Sequence, residues 1–111
     1  MKSDKAYLEH ILDMIRRIES ASASGREAFV RSELHQDAVL RNLHTMTETT
    51  QRLSSDLKVA NSDVEWATLA AFRNVLVHDY LGIDIDLVWT VITQDVPNFK
   101  EKVLRILSSS K

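Results

Sequence analysis

The stretch at residues 66–82 reads WATLAAFRNVLVHDYLG, and it decides the fold class because its apolar side chains recur at the spacing of a helix. These side chains cover most of the helix circumference, which predicts a central position in a helical bundle. Ser62 and Glu65 have the spacing of a capping box just ahead of this helix. Gly82 is the predicted helix stop, since glycine readily takes the left-handed conformation that follows a helix end.

The chain before this helix shows the same periodicity. The first predicted helix ends in the small residues 21–25, and its apolar stripe consists of Tyr7, Leu8, Ile11, Leu12, Ile15 and Ile18. A capping box at Ser24 and Glu27 predicts a second helical stretch that bends near Ser32 and runs to about Leu57. The predicted core side of this stretch consists of Leu34, Ala38, Leu43, Met46, Thr50 and Leu53.

The chain after this helix predicts further helical structure. Asp84 is the expected N-cap of the next helix, and Pro97 is expected to kink or restart it. Its predicted apolar face consists of Trp89, Ile92, Val96, Phe99, Val103, Leu104 and Leu107. Two glycines and one proline leave little turn chemistry for a sheet. We therefore predict an all-α protein, an antiparallel four- to five-helix bundle that forms a single domain over residues 1–111.

Composition narrows the possible functions. The chain has no cysteine, which excludes disulfides, thiolate zinc sites and a cysteine nucleophile. No apolar run approaches the roughly 18 residues of a membrane span, and Glu9 and His10 interrupt the apolar centre that a secretory signal needs. We therefore expect a cytoplasmic protein. The net charge of −2 provides no global basic field, so an RNA partner would need a local basic patch or a site assembled across a dimer.

Polar side chains interrupt the central helix in a specific geometry. At about 100° per residue, Arg73 and Tyr80 lie within ~20° of each other, and Asn74 and His78 lie about 40° apart. Arg73 and His78 are about 140° apart and converge poorly on one regular helix. Either the helix distorts near Gly82, or the working site joins groups from two copies of the chain.

These residue types suit phosphodiester chemistry. Arginine presents a planar fork of donors to phosphate oxygens, and histidine exchanges a proton near neutral pH. A ribose 2′-hydroxyl that acts as nucleophile removes the need for a metal ion. The structural alternatives are an Arg73 that forms an interface ion pair and a His78 that caps the helix C-terminus. The spacing alone leaves both alternatives open.

The octad RNVLVHDY at residues 73–80 resembles the R-x4-H-x-Y signature of HEPN domains, specifically the HepT toxins of the HepT/MntA toxin–antitoxin family. The resemblance spans nearly the whole chain. Other similar features are Trp66, the Val88-Trp89 pair, the Val96-Pro97 pair, residues 37–43 and Glu48. The chain departs from the family pattern at residues 47–49, 61–63 and 71–72, away from the three signature positions.

The resemblance implies a HEPN-like homodimer that acts as a metal-independent endoribonuclease, with the Arg/His pairs of both protomers facing one cleft. It implies Arg73 and His78 as catalytic residues, with Asn74 and Asp79 in support, and neither a metal nor another cofactor. The implied partners are RNA and a second copy of the chain, with no DNA and no membrane.

The resemblance also implies the toxin of a type VII-like system. A nucleotidyltransferase antitoxin similar to MntA would silence such a toxin by transferring AMP onto Tyr80. The added negative charge and bulk would lie where RNA phosphate must bind. The unmodified Tyr80 is equally compatible with a ring packed at an interface.

Several other interpretations stay open from the sequence. Glu48 is a candidate partner for Arg73, while His44 and Glu48 alone offer too few ligands for a metal. Lys100, Lys102 and Arg105 are expected on a solvated face that contributes to an RNA-binding rim. The alternative functions are a non-catalytic helical dimer that docks a nucleotidyltransferase, and a subunit that completes the active site of a transferase.

Overall fold

The structure is a computed structural model that describes residues 3–78 and 82–109. The helices are α1 (Asp4–Ser22), α2 (Arg26–Arg31), α3 (Glu33–Thr50), α4 (Ser55–Ala60), α5 (Trp66–His78), α6 (Ile85–Thr90) and α7 (Val96–Ser109). A π-helical segment, Val91–Asp95, joins α6 to α7. These two ranges contain no strand, which confirms the predicted all-α bundle. None of the described helices is long and apolar enough to cross a bilayer.

The core of the molecule lies between α1 and α3, which pack against each other along most of their length. They run antiparallel, because the Asp4 carboxylate at the start of α1 accepts two hydrogen bonds from Ser54, just beyond the end of α3. The predicted stripe of α1 is confirmed, with Tyr7 and Leu12 at its edge. Side chains with almost no exposed surface on these two helices are Leu8, Ile11, Ile15, Ile18, Val39, Leu43 and Met46.

The second predicted helical stretch is divided into separate helices. α2 follows Gly25, whose φ of 96° lies in the region that favours glycine, and the predicted capping box of Ser24 and Glu27 is wrong because Gly25 is the N-cap. Ser32 then ends α2 and caps α3, and its hydroxyl accepts a 3.2 Å hydrogen bond from the backbone nitrogen of His35. The expected bend near Ser32 is therefore a complete break.

The end of α3 also differs from the prediction. α3 stops at Thr50 and does not run to Leu57, because Ser54 caps a new short helix, α4. Hydroxyl groups in the last turns of α3 bond back to carbonyls of the preceding turn, which weakens helix continuation. The donors are Thr45, Thr47, Thr49 and Thr50. Leu53 is buried as predicted, but Leu34 is 78% exposed and lies outside the core.

The last long helical unit begins as predicted and changes pitch before its proline. The side chain of Asp84 accepts a hydrogen bond from the backbone nitrogen of Asp86, as an N-cap does. Pro97 has no N–H to donate to the preceding turn, and the chain accommodates this with the π-helical segment, where the Val96 nitrogen bonds to the Val91 carbonyl. The predicted kink is therefore a local change in helix type.

The apolar face of α7 agrees with the prediction except at Leu104 and Ile106. Phe99 and Val103 are buried as expected, and Ile106 is buried beside them. Leu104 is exposed, so its placement in the core is wrong.

α5 starts later and is less buried than its sequence predicts. It begins at Trp66, and the Glu65 carbonyl accepts from the Leu69 nitrogen, so the predicted capping box that starts at Ser62 does not open this helix. Within α5, Leu76 is the buried residue. The helix packs along one side against α3, and its opposite side is exposed. Its predicted central position is therefore wrong for the single protomer, and residues 79–81, on the way to the predicted stop at Gly82, lie outside the described residues.

Candidate active site

Arg73 lies on the side of α5 that faces α3. Its Nε donates to Oε2 of Glu48 at 2.7 Å, and its Nη1 donates to Oδ1 of Asn74 at 3.2 Å. The two helices run antiparallel here, since Leu76, further along α5, borders a cavity with His44, which is earlier in α3. The pair of Glu48 and Arg73 that the sequence suggested is present in the structure.

Glu48 lies among positive charges. The hydrogen bond from Arg73 holds the pKa of Glu48 below its ordinary value. Partial burial opposes this shift, while electrostatic interactions with Arg73, His44 and Arg52 reinforce it. The Nε2 atom of His44 lies 3.7 Å from the same carboxylate oxygen. At neutral pH Glu48 is therefore a charged acceptor that fixes the orientation of the Arg73 guanidinium.

His78 lies at the end of the described part of α5, on its exposed side. The helix is α-helical through both Arg73 and His78, so no distortion between them turns one toward the other. At about 100° per residue their side chains leave the helix in directions about 140° apart. The two arrangements that the spacing left open both remain, because residues 79–81, just before Gly82, lie outside the described residues.

The remaining predicted site residues fall into two groups. Asn74 is exposed beside Arg73 and accepts its hydrogen bond, which is compatible with a supporting role. Asp79 and Tyr80 lie outside the described residues, so their predicted roles are not examined by the structure.

An open groove runs between α1 and α3 beside the Glu48–Arg73 pair. One part of it has a volume of about 750 Å³ and is bordered by His10, His44, Glu48 and Arg52. The sequence reasoning missed this groove. Its signal was a set of polar residues at helical spacing along α3, but a solvated helix face gives the same pattern.

A metal site is not formed by the described side chains. Within residues 3–78 and 82–109, no group of three or more histidine, aspartate or glutamate side chains is arranged to hold a metal ion. His44 and Glu48 approach each other, but their partner on the other side is the guanidinium of Arg73. A cation at this position would meet a positively charged neighbour.

The basic residues of α7 are engaged within the molecule. Lys100 pairs with Glu19 at 3.0 Å, and Arg105 pairs with Asp63 at 2.8 Å. Lys102 donates to the backbone carbonyl of Asp63 at 2.8 Å. These contacts tie α7 to the rest of the bundle, which weakens the expectation that the three residues form an RNA-binding rim.

Comparison with known proteins identifies the family. A family model described as ribonuclease HepT-like matches residues 11–106. A protein of Methanocaldococcus jannaschii named "Gamma-glutamylcyclotransferase and putative RNase" is 34% identical over 107 residues, which are 96% of this chain and 48% of that protein. The chain therefore spans about half the length of that relative.

Two further relatives match this chain over most of their own length. A "Putative RNase" of Caldanaerobacter subterraneus subsp. tengcongensis is 30% identical over 115 residues, which cover all of both chains. A "Probable ribonuclease HepT" of Thermococcus cleftensis is 31% identical over 102 residues, 91% of this chain and 93% of that protein. No solved structure matches the chain. The chain belongs to the HepT-like ribonuclease family.

Proposed function

We propose that this protein is a metal-independent endoribonuclease whose active site combines Arg73 and His78 from two copies of the chain. The observation that carries the proposal is the 2.7 Å hydrogen bond from Nε of Arg73 to Glu48 on a neighbouring helix. This bond orients a half-buried guanidinium before any substrate arrives, and such preorganisation lowers the cost of binding a developing charge.

Arg73 is the group that would bind the scissile phosphate. Its Nε is occupied by Glu48 and its Nη1 by Asn74, and Nη2 has no partner among the residues that the structure describes. Its side chain is 27% exposed, so substrate can reach it. A planar guanidinium matches two phosphate oxygens and stabilises the negative charge that they gain in the transition state.

His78 would move the protons. One histidine takes the proton from the ribose 2′-hydroxyl, whose oxygen attacks phosphorus, and the symmetry-related histidine donates a proton to the departing 5′-oxygen. The P–O5′ bond breaks as the P–O2′ bond forms, which leaves a 2′,3′-cyclic phosphate and a free 5′-hydroxyl. No metal ion enters these steps, because the substrate itself supplies the nucleophile.

The exposed face of α5 supplies the surface for a second copy. This face lies opposite the buried Leu76 and is formed by Ala67, Ala71, Asn74, Val75 and His78. Its side chains are mostly small or apolar, so two copies of α5 can approach closely around a two-fold axis. The axis would place the two His78 side chains near one another.

The same proposal includes regulation by a partner. The chain would be the toxin of a toxin–antitoxin pair, silenced when a nucleotidyltransferase attaches AMP to the Tyr80 hydroxyl. Tyr80 is seven residues after Arg73, a spacing that would put both on one side of a helix that extended through Tyr80. An adenylate there would add a phosphate charge that competes with RNA for Arg73. Co-expression with the nucleotidyltransferase should raise the intact mass by adenylate units, and Tyr80→Phe should abolish that gain.

The decisive test of the activity compares four proteins on total RNA in EDTA: wild type, Arg73→Ala, His78→Ala and the control Arg31→Ala. Arg31 lies in an exposed ion pair on α2, so its loss changes charge without touching α5. We expect wild-type cleavage from the control and losses of about 10²–10⁴-fold from the other two variants. Equal cleavage by all four proteins would contradict the catalytic roles and favour a non-catalytic dimer that docks a nucleotidyltransferase. Cleavage that requires added metal would contradict the mechanism.

A further inference from the structure

The net charge of −2 does not explain how the protein would bind RNA. The basic residues that have no carboxylate partner within the protein are candidates for phosphate contacts. Most arginines and lysines of the described residues are engaged by a carboxylate or a backbone carbonyl within the protein. These are Arg16, Arg17, Arg26, Arg31, Arg73, Lys100, Lys102 and Arg105. Lys58 lies over the ring of Trp66. Lys5, Arg41 and Arg52 differ, since none of the three forms an ion pair with a carboxylate that the structure describes. Of these, Arg41 and Arg52 border the grooves along α3.

Arg41 and Arg52 lie on either side of Glu48 along the chain. Arg41 is within α3, and Arg52 lies two residues past Thr50, in the turn that follows the helix. Arg52 borders the groove that also contains Glu48. Arg41 borders a cavity with Leu76 of α5, on the His78 side of Arg73. The two arginines therefore flank the guanidinium that would bind the scissile phosphate.

The acidic groups of this groove are largely neutralised. Asp13 accepts hydrogen bonds from two arginines of α1, and Glu48 accepts one from Arg73. Asp37 lies one helical turn before Arg41 and is the acidic neighbour that opposes an anionic ligand most directly. His10 and His44 add two further nitrogen donors along the same groove. The local balance is therefore more favourable to phosphate than the net charge of the chain.

We propose that Arg41 and Arg52 bind the backbone phosphates on either side of the cleaved bond in single-stranded RNA. The inference rests on the proposed function, because it takes Arg73 as the ligand of the scissile phosphate. Exposed arginines whose N–H groups have no carboxylate partner can bind phosphate oxygens without contacting the bases. Such contacts would position the strand along α3. In this arrangement the flanking phosphates lie along the groove between α1 and α3, and the scissile phosphate lies at Arg73.

The test measures binding of a short single-stranded RNA in which every ribose carries a 2′-O-methyl group, so that no 2′-hydroxyl can attack. Fluorescence anisotropy at several salt concentrations compares wild type, Arg41→Gln, Arg52→Gln, the double variant and Arg31→Gln. The last variant removes the same charge from an exposed ion pair on α2 and is the matched control. Thermal unfolding of each variant verifies that the exposed substitutions leave the fold intact.

Each phosphate contact with a single strand contributes about 0.7 to the slope of log K against log salt. We therefore expect each single variant to lower the slope magnitude by about 0.7 and to weaken binding about 5-fold near 0.1 M salt, with about 25-fold for the double variant. Arg31→Gln should bind like wild type. Equal binding by the double variant and Arg31→Gln would overturn the inference, as would a wild type that fails to bind.

Parallel cleavage assays on unmodified RNA separate this inference from the proposed function. If wild type cleaves and the double variant binds like the control, Arg41 and Arg52 are not phosphate ligands although the enzymatic assignment stands. If wild type binds through the two arginines but cleaves nothing, the phosphate contacts stand and the catalytic proposal is wrong.

Discussion

The α1–α3 pair and α5 differ in how they use their apolar residues: α5 is richer in apolar residues than α1 or α3 but buries fewer of them. α1 and α3 bury the centres of their apolar stripes against each other, as Ile11 and Leu43 illustrate with no exposed surface. α5 buries Leu76, while Val75 and Val77 remain exposed. The single protomer therefore accounts for the sequence of α1 and α3, and it does not account for that of α5.

This difference predicts that α5 has a second packing surface, on the side opposite α3. A helix whose sequence is apolar nearly all round is suited to burial on more than one side. One side of α5 packs on α3, where Glu48 holds Arg73, and the other side contains His78. A second copy packed on that side would complete both the burial of α5 and the set of reacting groups. The following substitutions act on this contrast, from the largest expected effect to the smallest.

A charge placed on the exposed face of α5 should have the largest effect on activity. In Ala71→Glu the new carboxylate lies one helical turn before Val75, and two copies facing each other would bring like charges together. We expect sedimentation to report a monomer and RNA cleavage to fall about 10²–10⁴-fold, because the second histidine is lost. Ala60→Glu, at the exposed end of α4, is the control and should behave as wild type. A dimeric Ala71→Glu protein would contradict this role of α5.

A cavity in the α1–α3 core should have the largest effect on stability. Leu43 has no exposed surface, and truncation of a fully buried leucine to alanine costs about 2–5 kcal/mol. The comparison is Val75→Ala in the monomeric Ala71→Glu background, which should change the free energy of unfolding by less than about 0.5 kcal/mol. Urea unfolding of both variants measures the contrast. Similar losses at the two positions would show that α5 is integrated into the protomer core.

Loss of the Glu48 carboxylate should have an intermediate effect on catalysis. Glu48→Gln keeps an oxygen acceptor for Nε of Arg73 but removes the charge that strengthens the bond. We expect kcat to fall about tenfold with a smaller change in KM, since a loosened guanidinium stabilises the transition state less well. Glu27→Gln on α2 is the matched control. A change confined to KM would indicate that Glu48 affects substrate binding alone.

The pH dependence of stability should show the smallest effect. The hydrogen bond from Arg73 lowers the pKa of Glu48 in the folded state, so its stabilisation is present above the unfolded pKa, near 4.3. This stabilisation disappears as the pH falls through the lower folded pKa. The difference in unfolding free energy between wild type and Glu48→Gln should therefore shrink toward zero in acid. A difference that grows as the pH falls would contradict the assigned charge state.

Local sequence patterns predicted the helices better than their ends. Periodicity identified the stripe of α1 and much of the buried side of α3. The predicted Asp84 N-cap was also confirmed. The same capping pattern was wrong at Ser24 and at Ser62. Gly25, with its positive φ, is the N-cap of α2, and α5 begins at Trp66. These helix starts depend on tertiary packing, which local spacing does not encode.

The site was predictable where it depends on one helix and less so where it depends on several. The angular positions of Arg73 and His78 follow from helix geometry. The sequence also offered Glu48 as a partner for Arg73, and the structure contains this hydrogen bond. Arg41 and Arg52 could not be distinguished from other exposed basic residues, because their significance lies in which cations already have a carboxylate partner. That assignment requires ion pairs between residues far apart in the chain, such as Arg26 with Asp86.

The most direct test of a shared site is a mixed dimer that contains one wild-type chain and one His78→Ala chain, isolated through a different affinity tag on each. If both histidines act on the same phosphodiester, one as base and one as acid, this mixed dimer should lose cleavage about 100-fold or more. If each chain instead contains a complete and independent site, the mixed dimer would retain about half of the wild-type rate. The account predicts near-complete loss, and half activity would contradict it.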